Sequence, residues 1–473
     1  MNLQKQLFIV MYFLILLLGL ESRTEAKEDL PNILLFTVDA CRPDHFGCYG
    51  YNRNTTPNID KIASEGVLFT HAFSQSAWTT PGMISIFTSL YPPTHGVDAK
   101  DRTLRENVLT LPKVLKGSGY VAPVLPKFVD IPNYWHLGFD VVDKERFQAE
   151  EGEDLLKLLE AYKDQRFFIW YHYHGVHLPY NPKNPYDKIF QEDIFSGISA
   201  DTEAVSVVKK KSVIKNNSIN FDNTDRKIVV ALYDGQLKQL DDYMGQLTEK
   251  MKKWGILDNT VIIITSDHGE ELFEHGFIGH ASTSLNAKLY DEIIHIPLII
   301  RWPKKVKHRV VDALVQQIEV MPTILDILGL PIPEGLHGYS LSTLMRGKSV
   351  DNLKFTPGRF EQGVVFCETI LGGYQSTKEM EEIKLRCVRT KEWKLIYTNT
   401  PTSNMSSGGL GDGKYELYNL SNDPKEEKNI FENHPKIAKE LKKKLFQWIE
   451  TTTSTSKECS SQPNAGINLL QQR

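Results

Sequence analysis

Cysteine is scarce in the 473-residue chain, and neither sign of charge is in large excess. The five cysteines have no CxxC spacing, and their odd number leaves at least one thiol that is free or pairs between chains. Because 41% of the residues are hydrophobic, a core of normal size can form without a disulfide scaffold. A net charge of −4 gives no reason to expect a nucleic-acid partner. We expect most of the thiols to be buried; they are Cys41, Cys48, Cys367, Cys387 and Cys459.

Long hydrophobic runs are absent except at the N-terminus. There, Lys5 precedes an apolar run over residues 7–20, and Thr24-Glu25-Ala26 follows it. This order is typical of a secretory signal peptide, which we predict over residues 1–26. The run is short for a membrane-spanning helix, which needs about 20 residues. The body of the protein is therefore predicted to be secreted, periplasmic or otherwise extracytoplasmic, with a membrane contact only if the segment stays uncleaved.

Four apolar runs predict strands that are buried on both faces, at residues 33–38, 167–171, 261–264 and 296–300. Continuous apolar strands are typical of a parallel sheet covered by helices. Helical patterns lie between them, for example from Ile228 to Trp254. The alternation predicts a doubly wound α/β domain with a mostly parallel sheet.

The length of the chain predicts more than one domain. We assign residues 27–350 to the α/β domain, with a polar excursion over its surface at 181–225. Short strands at 364–366 and 394–397 and an amphipathic helix at 435–449 predict a smaller α+β C-terminal domain over 351–450. The Ser-, Thr- and Gln-rich end, 451–473, is predicted to be disordered.

Metal-ligating side chains directly follow two of the predicted strands. Asp39 follows the first strand, and Asp267-His268 follow the strand at 261–264. Because ligands bind outside the carboxyl ends of strands in an open α/β sheet, these residues can converge there. Each aspartate alone is more often a cap or a turn residue. Together the three offer oxygen and nitrogen ligands that suit zinc or manganese, and calcium less well.

A helix start lies at Thr79-Thr80-Pro81, ahead of an apolar stretch. Thr80 is predicted as the N-cap, and Pro81 suits the first helical turn. A helix N-terminus offers free N–H groups to an anionic ester. Thr79 precedes that terminus, where a metal can acidify its hydroxyl and make it a nucleophile. The alternative is that both threonines only cap the helix.

From Pro31 to about Asn429 the chain resembles the sulfatase family of the alkaline phosphatase superfamily. The most specific match is Asp258-Asn259-Thr260 leading to Ser266-Asp267-His268-Gly269-Glu270. Further matching blocks occur in the family's order over most of the chain. They are residues 32–51, with Asp39 and Arg42-Pro43-Asp44, then 56–60, 87–97, 321–326 and 416–424.

The resemblance implies one divalent metal ion, with zinc or manganese favoured over calcium. It implies a small-molecule or glycan ester as the substrate. The implied ligands are Asp39, Asp267 and His268, with Thr79 at the nucleophile position and as a fourth ligand.

Further basic residues are implied near the substrate. His177 lies where the family has a histidine that binds the oxyanion or the leaving group, and His280 is the second implied catalytic histidine. Lys288 and Lys127 match the family's lysine positions less well, and His174 is a candidate partner of the ligands.

The chain also departs from the family pattern. Sulfatases oxidise a Cys or Ser at the nucleophile position to formylglycine, and Thr79 cannot form that aldehyde. Met83 replaces the arginine of the same motif, and Ala40 replaces a common second acidic ligand. In these respects the chain is similar to threonine-dependent phosphoryl and phosphoethanolamine transferases of the same superfamily.

Three functional hypotheses follow from the sequence. The leading one is hydrolysis of a sulfate- or phosphate-type ester through Thr79. The second keeps the fold but transfers a phosphoryl or phosphoethanolamine group to an acceptor. The third is a metal-binding homologue without catalytic activity.

Overall fold

The computed structural model describes residues 30–191, 202–215, 218–303, 305–348, 360–399 and 413–461. The predicted signal peptide, residues 1–26, lies outside the described residues. Within the described ranges, no helix combines the length and the apolar character that crossing a membrane requires.

The predicted mostly parallel sheet is confirmed, with six strands in the order β6-β2-β5-β4-β1-β3. Strand β5 is antiparallel to both neighbours, whereas the other neighbouring pairs are parallel. Strands β1 and β4 are buried along their whole length, as their continuous apolar runs predict. The strands are β1 Asn32–Val38, β2 Val67–Phe73, β3 Phe168–Tyr173, β4 Thr260–Ser266, β5 His295–Arg301 and β6 Arg309–Gln316.

Helices of very different lengths connect these strands. The longer ones are α1 Pro57–Ser64, α2 Thr79–Thr88, α3 Leu111–Gly117, α4 Glu153–Tyr162, α5 Glu203–Val208, α6 Asn223–Lys253, α7 Val320–Ile327 and α8 Pro435–Ser461. Four-residue helices span Pro92–His95, Pro126–Val129, Lys144–Phe147, Ala281–Ser284, Asp291–Ile294, Ser342–Met345 and Lys378–Glu381. Short strands Pro123–Val124 and Asp140–Val141 pair, as do Glu271–Leu272 and Ile278–Gly279.

The long helix α6 begins earlier than the sequence predicted, at Asn223 rather than Ile228. Asp222 accepts hydrogen bonds from the backbone N–H groups of Thr224 and Asp225, and the Asp225 carboxylate accepts one in return from Asp222 N–H. This capping box extends the helix into the polar segment that was assigned to the surface excursion.

A smaller four-stranded antiparallel sheet follows in the C-terminal part, as predicted. Its order is β7-β8-β9-β10, with bounds Val365–Ile370, Lys384–Arg389, Trp393–Asn399 and Gly413–Asn419. Helix α8 packs on this sheet through Trp448, whose ring stacks on Phe366 with centroids 5.3 Å apart. The sequence did not single out β8 and β10, since charged residues interrupt their apolar pattern.

The predicted disordered tail, 451–473, begins too early. Helix α8 continues beyond Ile449 to Ser461, and residues 462–473 lie outside the described residues. Thr452 is buried, and its hydroxyl donates to Trp448 O at 2.8 Å, while its own carbonyl accepts from Thr94 Oγ1 at 3.1 Å. Burial of Thr452 and its tertiary contact with Thr94 outweigh the low helix propensity of threonine at this position.

The small sheet shares a hydrophobic core with the larger domain, in which Phe73 and Trp78 are buried together with Val365 and Cys367. Four of the five cysteines are described as thiols without a disulfide, and Cys41, Cys367 and Cys387 are buried. The prediction of buried thiols holds for these three, whereas Cys48 is partly exposed.

A buried ion-pair network also joins the small sheet to the α/β domain. The Lys394 ammonium on β9 is fully buried and lies 2.9 Å from both Asp291 Oδ1 and Glu426 Oε1. Arg389 on β8 adds a second cation, 2.9 Å from Asp291 Oδ2. Burial alone would raise the pKa of Asp291, but Arg389 and Lys394 outweigh it and hold the pKa well below its usual value.

We expect Lys394→Met to lower the free energy of unfolding by about 3–5 kcal/mol, because it leaves the buried Glu426 carboxylate without its cation and leaves Asp291 with Arg389 alone. The matched control is Lys391→Met in the turn between β8 and β9, where the ammonium is 70% exposed and pairs with Asp312. The control should cost no more than about 1 kcal/mol, since exposed ion pairs contribute little. Urea unfolding followed by circular dichroism measures both; equal losses would contradict the assignment.

Candidate active site

The carboxyl ends of β1 and β4 meet side by side and bring the predicted ligands together. Val38, the last residue of β1, is in register with Ser266, the last residue of β4. Asp39 and Asp267 therefore leave the sheet at the same edge. Beyond the strands, the backbones stay joined, since Cys41 N–H donates to His268 O at 3.0 Å.

Ala40 makes the turn that follows Asp39 with a left-handed backbone, φ 55°. Its N–H donates to Asp267 Oδ1 at 3.3 Å, and its carbonyl accepts from the Tyr233 hydroxyl at 3.0 Å. A non-glycine residue in this region carries a small strain that the surrounding contacts sustain. The turn thereby holds Asp39 beside Asp267.

Helix α2 begins at Thr79 and points its N-terminus at these residues. The prediction of Thr80 as the N-cap is wrong, because Trp78 occupies the cap position in an extended conformation. The Trp78 ring is buried, so packing rather than capping sets the start of the helix. Within the described ranges no side chain caps this helix, so its first N–H groups remain available to an anion. Pro81 lies in the first turn, as predicted.

Close approach of α2 to β4 depends on Gly82, because a Cβ atom there would lie 2.7 Å from Asp267 O. The approach leaves Thr79 Oγ1 3.4 Å from His268 Nε2. Thr79 is partly exposed, so a substrate can reach its hydroxyl.

The donor set fits a divalent cation. Asp39 Oδ1, Asp267 Oδ2 and His172 Nε2 are buried and have no hydrogen-bond partner among the described residues. His268 Nε2 lies 3.6 Å from Asp39 Oδ1 and 3.5 Å from Asp267 Oδ2. Its Nδ1 lies 2.7 Å from Gly269 O, so Nδ1–H donates there and Nε2 presents its lone pair to the carboxylates. Buried carboxylate oxygens that have no hydrogen-bond partner require a cation nearby.

The two predicted catalytic histidines lie beside this cluster. His280 is buried, and its ring centroid is 4.2 Å from that of His268 and 5.0 Å from that of His177. The Glu270 carboxylate orients His280 through Nδ1 at 2.9 Å. Burial raises the pKa of Glu270 to about 7.

The pKa values of the two histidines move in opposite directions. Burial lowers the pKa of His280 well below its usual value, and the neighbouring His268 and His177 lower it further. Burial also acts on His177, but the carboxylates of Asp39 and Glu270 outweigh it and raise the pKa of that group. The arrangement therefore favours a proton on His177 and a neutral His280.

These groups line a cavity of about 350 Å³. Lys127 and His174 reach its wall, whereas Lys288 lies outside it, its ammonium 5.5 Å from the centroids of two aromatic rings. Ser212 and Val213 also contribute, so part of the polar excursion borders the site. A larger surface cavity of about 710 Å³ contains none of the predicted site residues. We therefore place the function in the smaller cavity.

A sulfatase family model matches residues 31–330, which is more than half of the chain. The chain belongs to the sulfatase family. A second model, described as N-sulphoglucosamine sulphohydrolase, C-terminal, matches residues 285–451 and so includes the small sheet. The family resemblance inferred from the motifs is confirmed, and the protein is an ester hydrolase of this family.

Curated relatives align with nearly the whole protein. An N-acetylglucosamine-6-O-sulfatase of Bacteroides thetaiotaomicron is 23% identical, over 90% of this chain and 87% of its own. An ulvan-active sulfatase of Formosa agariphila is 25% identical, over 90% of this chain and 82% of its own.

Solved structures share the fold. A protein in complex with its substrate D-glucosamine-2-N,6-O-disulfate superposes with a TM-score of 0.66 at 22% identity, covering 91% of this chain and 99% of its own. The phosphonate monoester hydrolase of Agrobacterium radiobacter gives 0.66 at 20% identity, covering 90% and 96%.

One site residue of this sulfatase-family protein was missed from the sequence. His172 lies on β3, and its Nε2 faces the same two carboxylates as His268, 3.6 Å from Asp39 Oδ2 and 3.8 Å from Asp267 Oδ2. The available signal was a histidine inside an otherwise apolar and aromatic strand, one residue before the strand end. Only the pairing of β3 with β1 shows that it faces Asp39.

Proposed function

We propose that the protein hydrolyses a sulfate ester of a sugar or a similar small molecule through Thr79, without formylglycine. The observation that carries the proposal is the position of Thr79 Oγ1, 3.4 Å from His268 Nε2 and at the uncapped N-terminus of α2. The names of the relatives support a glycan sulfate as the substrate class.

Asp39, Asp267 and His268 would hold a divalent ion, with Thr79 as a further oxygen ligand. We propose zinc or manganese rather than calcium, since a histidine nitrogen suits the former two better. Such an ion would neutralise the buried carboxylates, acidify a neighbouring hydroxyl and attract the ester oxygens.

In the proposed reaction, the deprotonated Oγ1 of Thr79 forms a bond to sulfur, and the bond from sulfur to the leaving oxygen breaks. The free N–H groups of α2 stabilise the charge that develops on the sulfate oxygens. Water then cleaves the Thr79 sulfate ester and releases sulfate.

The leaving oxygen requires a proton, and His177 is the better donor. In the metal-free protein Asp39 and Glu270 raise its pKa against the effect of burial, while that of His280 is lowered, and Glu270 would keep this effect when an ion neutralises Asp39. We assign His177 as the general acid and His280 as a neutral group that contacts the ester oxygens.

His177→Ala is expected to lower kcat by about 100-fold for alkyl sulfates, because their leaving oxygen needs the proton. The loss should be far smaller for nitrophenyl sulfate, whose leaving oxygen is already stable as an anion. Steady-state kinetics with both esters measures the contrast. Equal losses on the two substrates would remove the general-acid role and leave only a binding role.

The experiment that tests the proposed function is a substrate panel with purified protein. Aryl sulfates, sugar sulfates, phosphate monoesters, diesters and phosphonates are each assayed with zinc, manganese and calcium added in turn. We expect the fastest turnover with a sulfate ester and loss of turnover with a chelator. Product that forms only when an acceptor is added would favour group transfer instead, and no turnover of any ester would refute catalysis.

We further propose that the protein acts outside the cytoplasm after removal of residues 1–26. The order of Lys5, the apolar run and Thr24-Glu25-Ala26 supports this. N-terminal sequencing of the protein recovered from its native host tests it; a sequence that starts at Met1 would show that the segment is kept.

A further inference from the structure

His172 has a nitrogen that no contact within the described part of the chain accounts for. Its side chain is only 4% exposed, yet Nε2 has no hydrogen-bond partner there. The two nearest acidic oxygens are Oδ2 of Asp39 at 3.6 Å and Oδ2 of Asp267 at 3.8 Å. A buried nitrogen of this kind facing two buried carboxylates requires a positive charge between them.

Thr37 determines which ring nitrogen of His172 carries the proton. Its hydroxyl lies 3.2 Å from Tyr171 O, accepts from Trp170 Nε1 at 2.9 Å, and lies 2.9 Å from His172 Nδ1. With its single hydrogen donated to Tyr171 O, the hydroxyl accepts from His172 Nδ1–H. The lone pair of a neutral His172 is then on Nε2 and points at the carboxylates. This outer hydrogen bond is the one that metal-binding histidines usually make.

The distances distinguish a shared metal ion from a shared proton. A charged N–H···O bond would bring Nε2 to about 2.7–2.9 Å from a carboxylate oxygen. Two ligands of one tetrahedral zinc ion, each about 2.0–2.2 Å from the metal, lie roughly 3.3–3.6 Å apart. The separations of His172 Nε2 from Asp39 and Asp267, 3.6 and 3.8 Å, are close to the second range. The separations of His268 Nε2 from Asp39 Oδ1 and Asp267 Oδ2, 3.6 and 3.5 Å, lie in the same range.

We propose that His172 is a further protein ligand of the divalent ion and that the site is a two-histidine, two-aspartate set. The inference rests on the metal site of the proposed function, which did not include His172. A second nitrogen ligand selects a borderline metal such as zinc or manganese and disfavours calcium, which prefers oxygen. These four residues would complete the tetrahedral set to which the separations were compared, and Thr79 would join as a fifth ligand only during the reaction.

X-ray absorption spectroscopy of the zinc-loaded wild-type protein tests the ligand count directly. The spectrum should require two imidazole rings per zinc ion. A single imidazole per zinc would overturn the proposal while leaving hydrolysis through Thr79 untouched. Activity of the protein and the imidazole count are separate readouts, so failure of this inference is distinguishable from failure of the proposed function.

Two variants test the same ligand by calorimetric titration of metal-free protein with zinc and with manganese. His172→Ala should weaken binding by more than the roughly 10–100-fold that loss of an outer hydrogen bond costs. Thr37→Val removes that outer bond together with the hydroxyl contacts to Tyr171 O and Trp170 Nε1, leaves His172 itself in place, and should fall within this range. Circular dichroism confirms that each variant is folded; unchanged affinity in a folded His172→Ala protein would refute the proposal.

His174→Ala is the control, because His174 is also near Asp39 and could instead share a second ion with His172. Its side chain is 51% exposed, so the substitution should not disturb folding. We expect one zinc per chain in the wild type and unchanged zinc affinity in His174→Ala. The single-ion site is refuted if the wild type binds two zinc ions per chain and if His172→Ala and His174→Ala each lose one of them. That result would indicate a two-ion site instead.

Discussion

Replacement of Thr79 by alanine is expected to lower kcat for ester hydrolysis by about 10³-fold or more, because loss of a nucleophile leaves only binding and charge stabilisation. The expected loss is in kcat rather than in folding, since Thr79 is partly exposed. Zinc content should persist, as the aspartates and histidines remain. Rapid quenching of the wild type during turnover should also trap a sulfated peptide that contains Thr79.

Thr79→Ser is the matched control, because it keeps the hydroxyl and removes only a methyl group. It should retain most of the turnover that alanine abolishes. If Thr79→Ala keeps full turnover of every ester that the wild type cleaves, Thr79 is not the nucleophile. A sulfated peptide from elsewhere in the chain would identify the group that replaces it.

Asp267→Asn is expected to weaken zinc binding by at least about 100-fold and to lower kcat/KM by a similar or larger factor. Asp267 is fully buried, and its Oδ2 faces both His268 and His172. An amide at this position cannot supply the negative charge that the ion needs. Calorimetry and kinetics measure the two losses.

The effect of Asp267→Asn on stability should depend on whether the metal is bound. Without metal, the wild type keeps two buried carboxylates, Asp39 and Asp267. Their oxygens Asp39 Oδ1 and Asp267 Oδ2 have no hydrogen-bond partner among the described residues. Asp267→Asn removes one of these charges, so the metal-free variant should melt no lower than the metal-free wild type. With zinc added, the wild type should gain stability with the logarithm of the zinc concentration divided by its Kd, and the variant should gain little.

Asp258→Asn is the control for this experiment, because its side chain is 64% exposed and it precedes β4, at the end of the strand opposite Asp267. It should behave as the wild type with and without zinc. A wild type whose melting temperature does not respond to zinc, manganese or calcium would contradict the metal site itself.

The ligand pair Asp267-His268 and the single Asp39 could be predicted from the sequence because each directly follows an apolar strand. In a parallel sheet, strand ends meet at one edge, so position along the strand is enough to place these residues together. The β5 strand was predicted from the same kind of run, but its antiparallel direction was not, since an apolar run carries no direction.

Predictions from local residue preferences were wrong where tertiary packing had the larger effect. The cap of α2 was assigned to Thr80 from propensity, yet the buried Trp78 ring starts the helix two residues earlier than a Thr80 cap would. The end of α8 was placed near Ile449 from composition, yet the helix continues to Ser461, and Thr94 contacts it at Thr452, beyond the predicted end. Both errors arise because residues distant in sequence supply the deciding contacts.

The sequence alone determined the family, the α/β class and the set of groups at the ends of β1 and β4, because motif spacing and apolar runs are local properties. The tertiary structure decided which further residue joins these groups. His172 is the last residue but one of β3, and only the register of β3 with β1 shows that its Nε2 lies toward Asp39. The opposite pKa shifts of His177 and His280 likewise depend on burial and on neighbouring carboxylates, which appear only when the chain has folded.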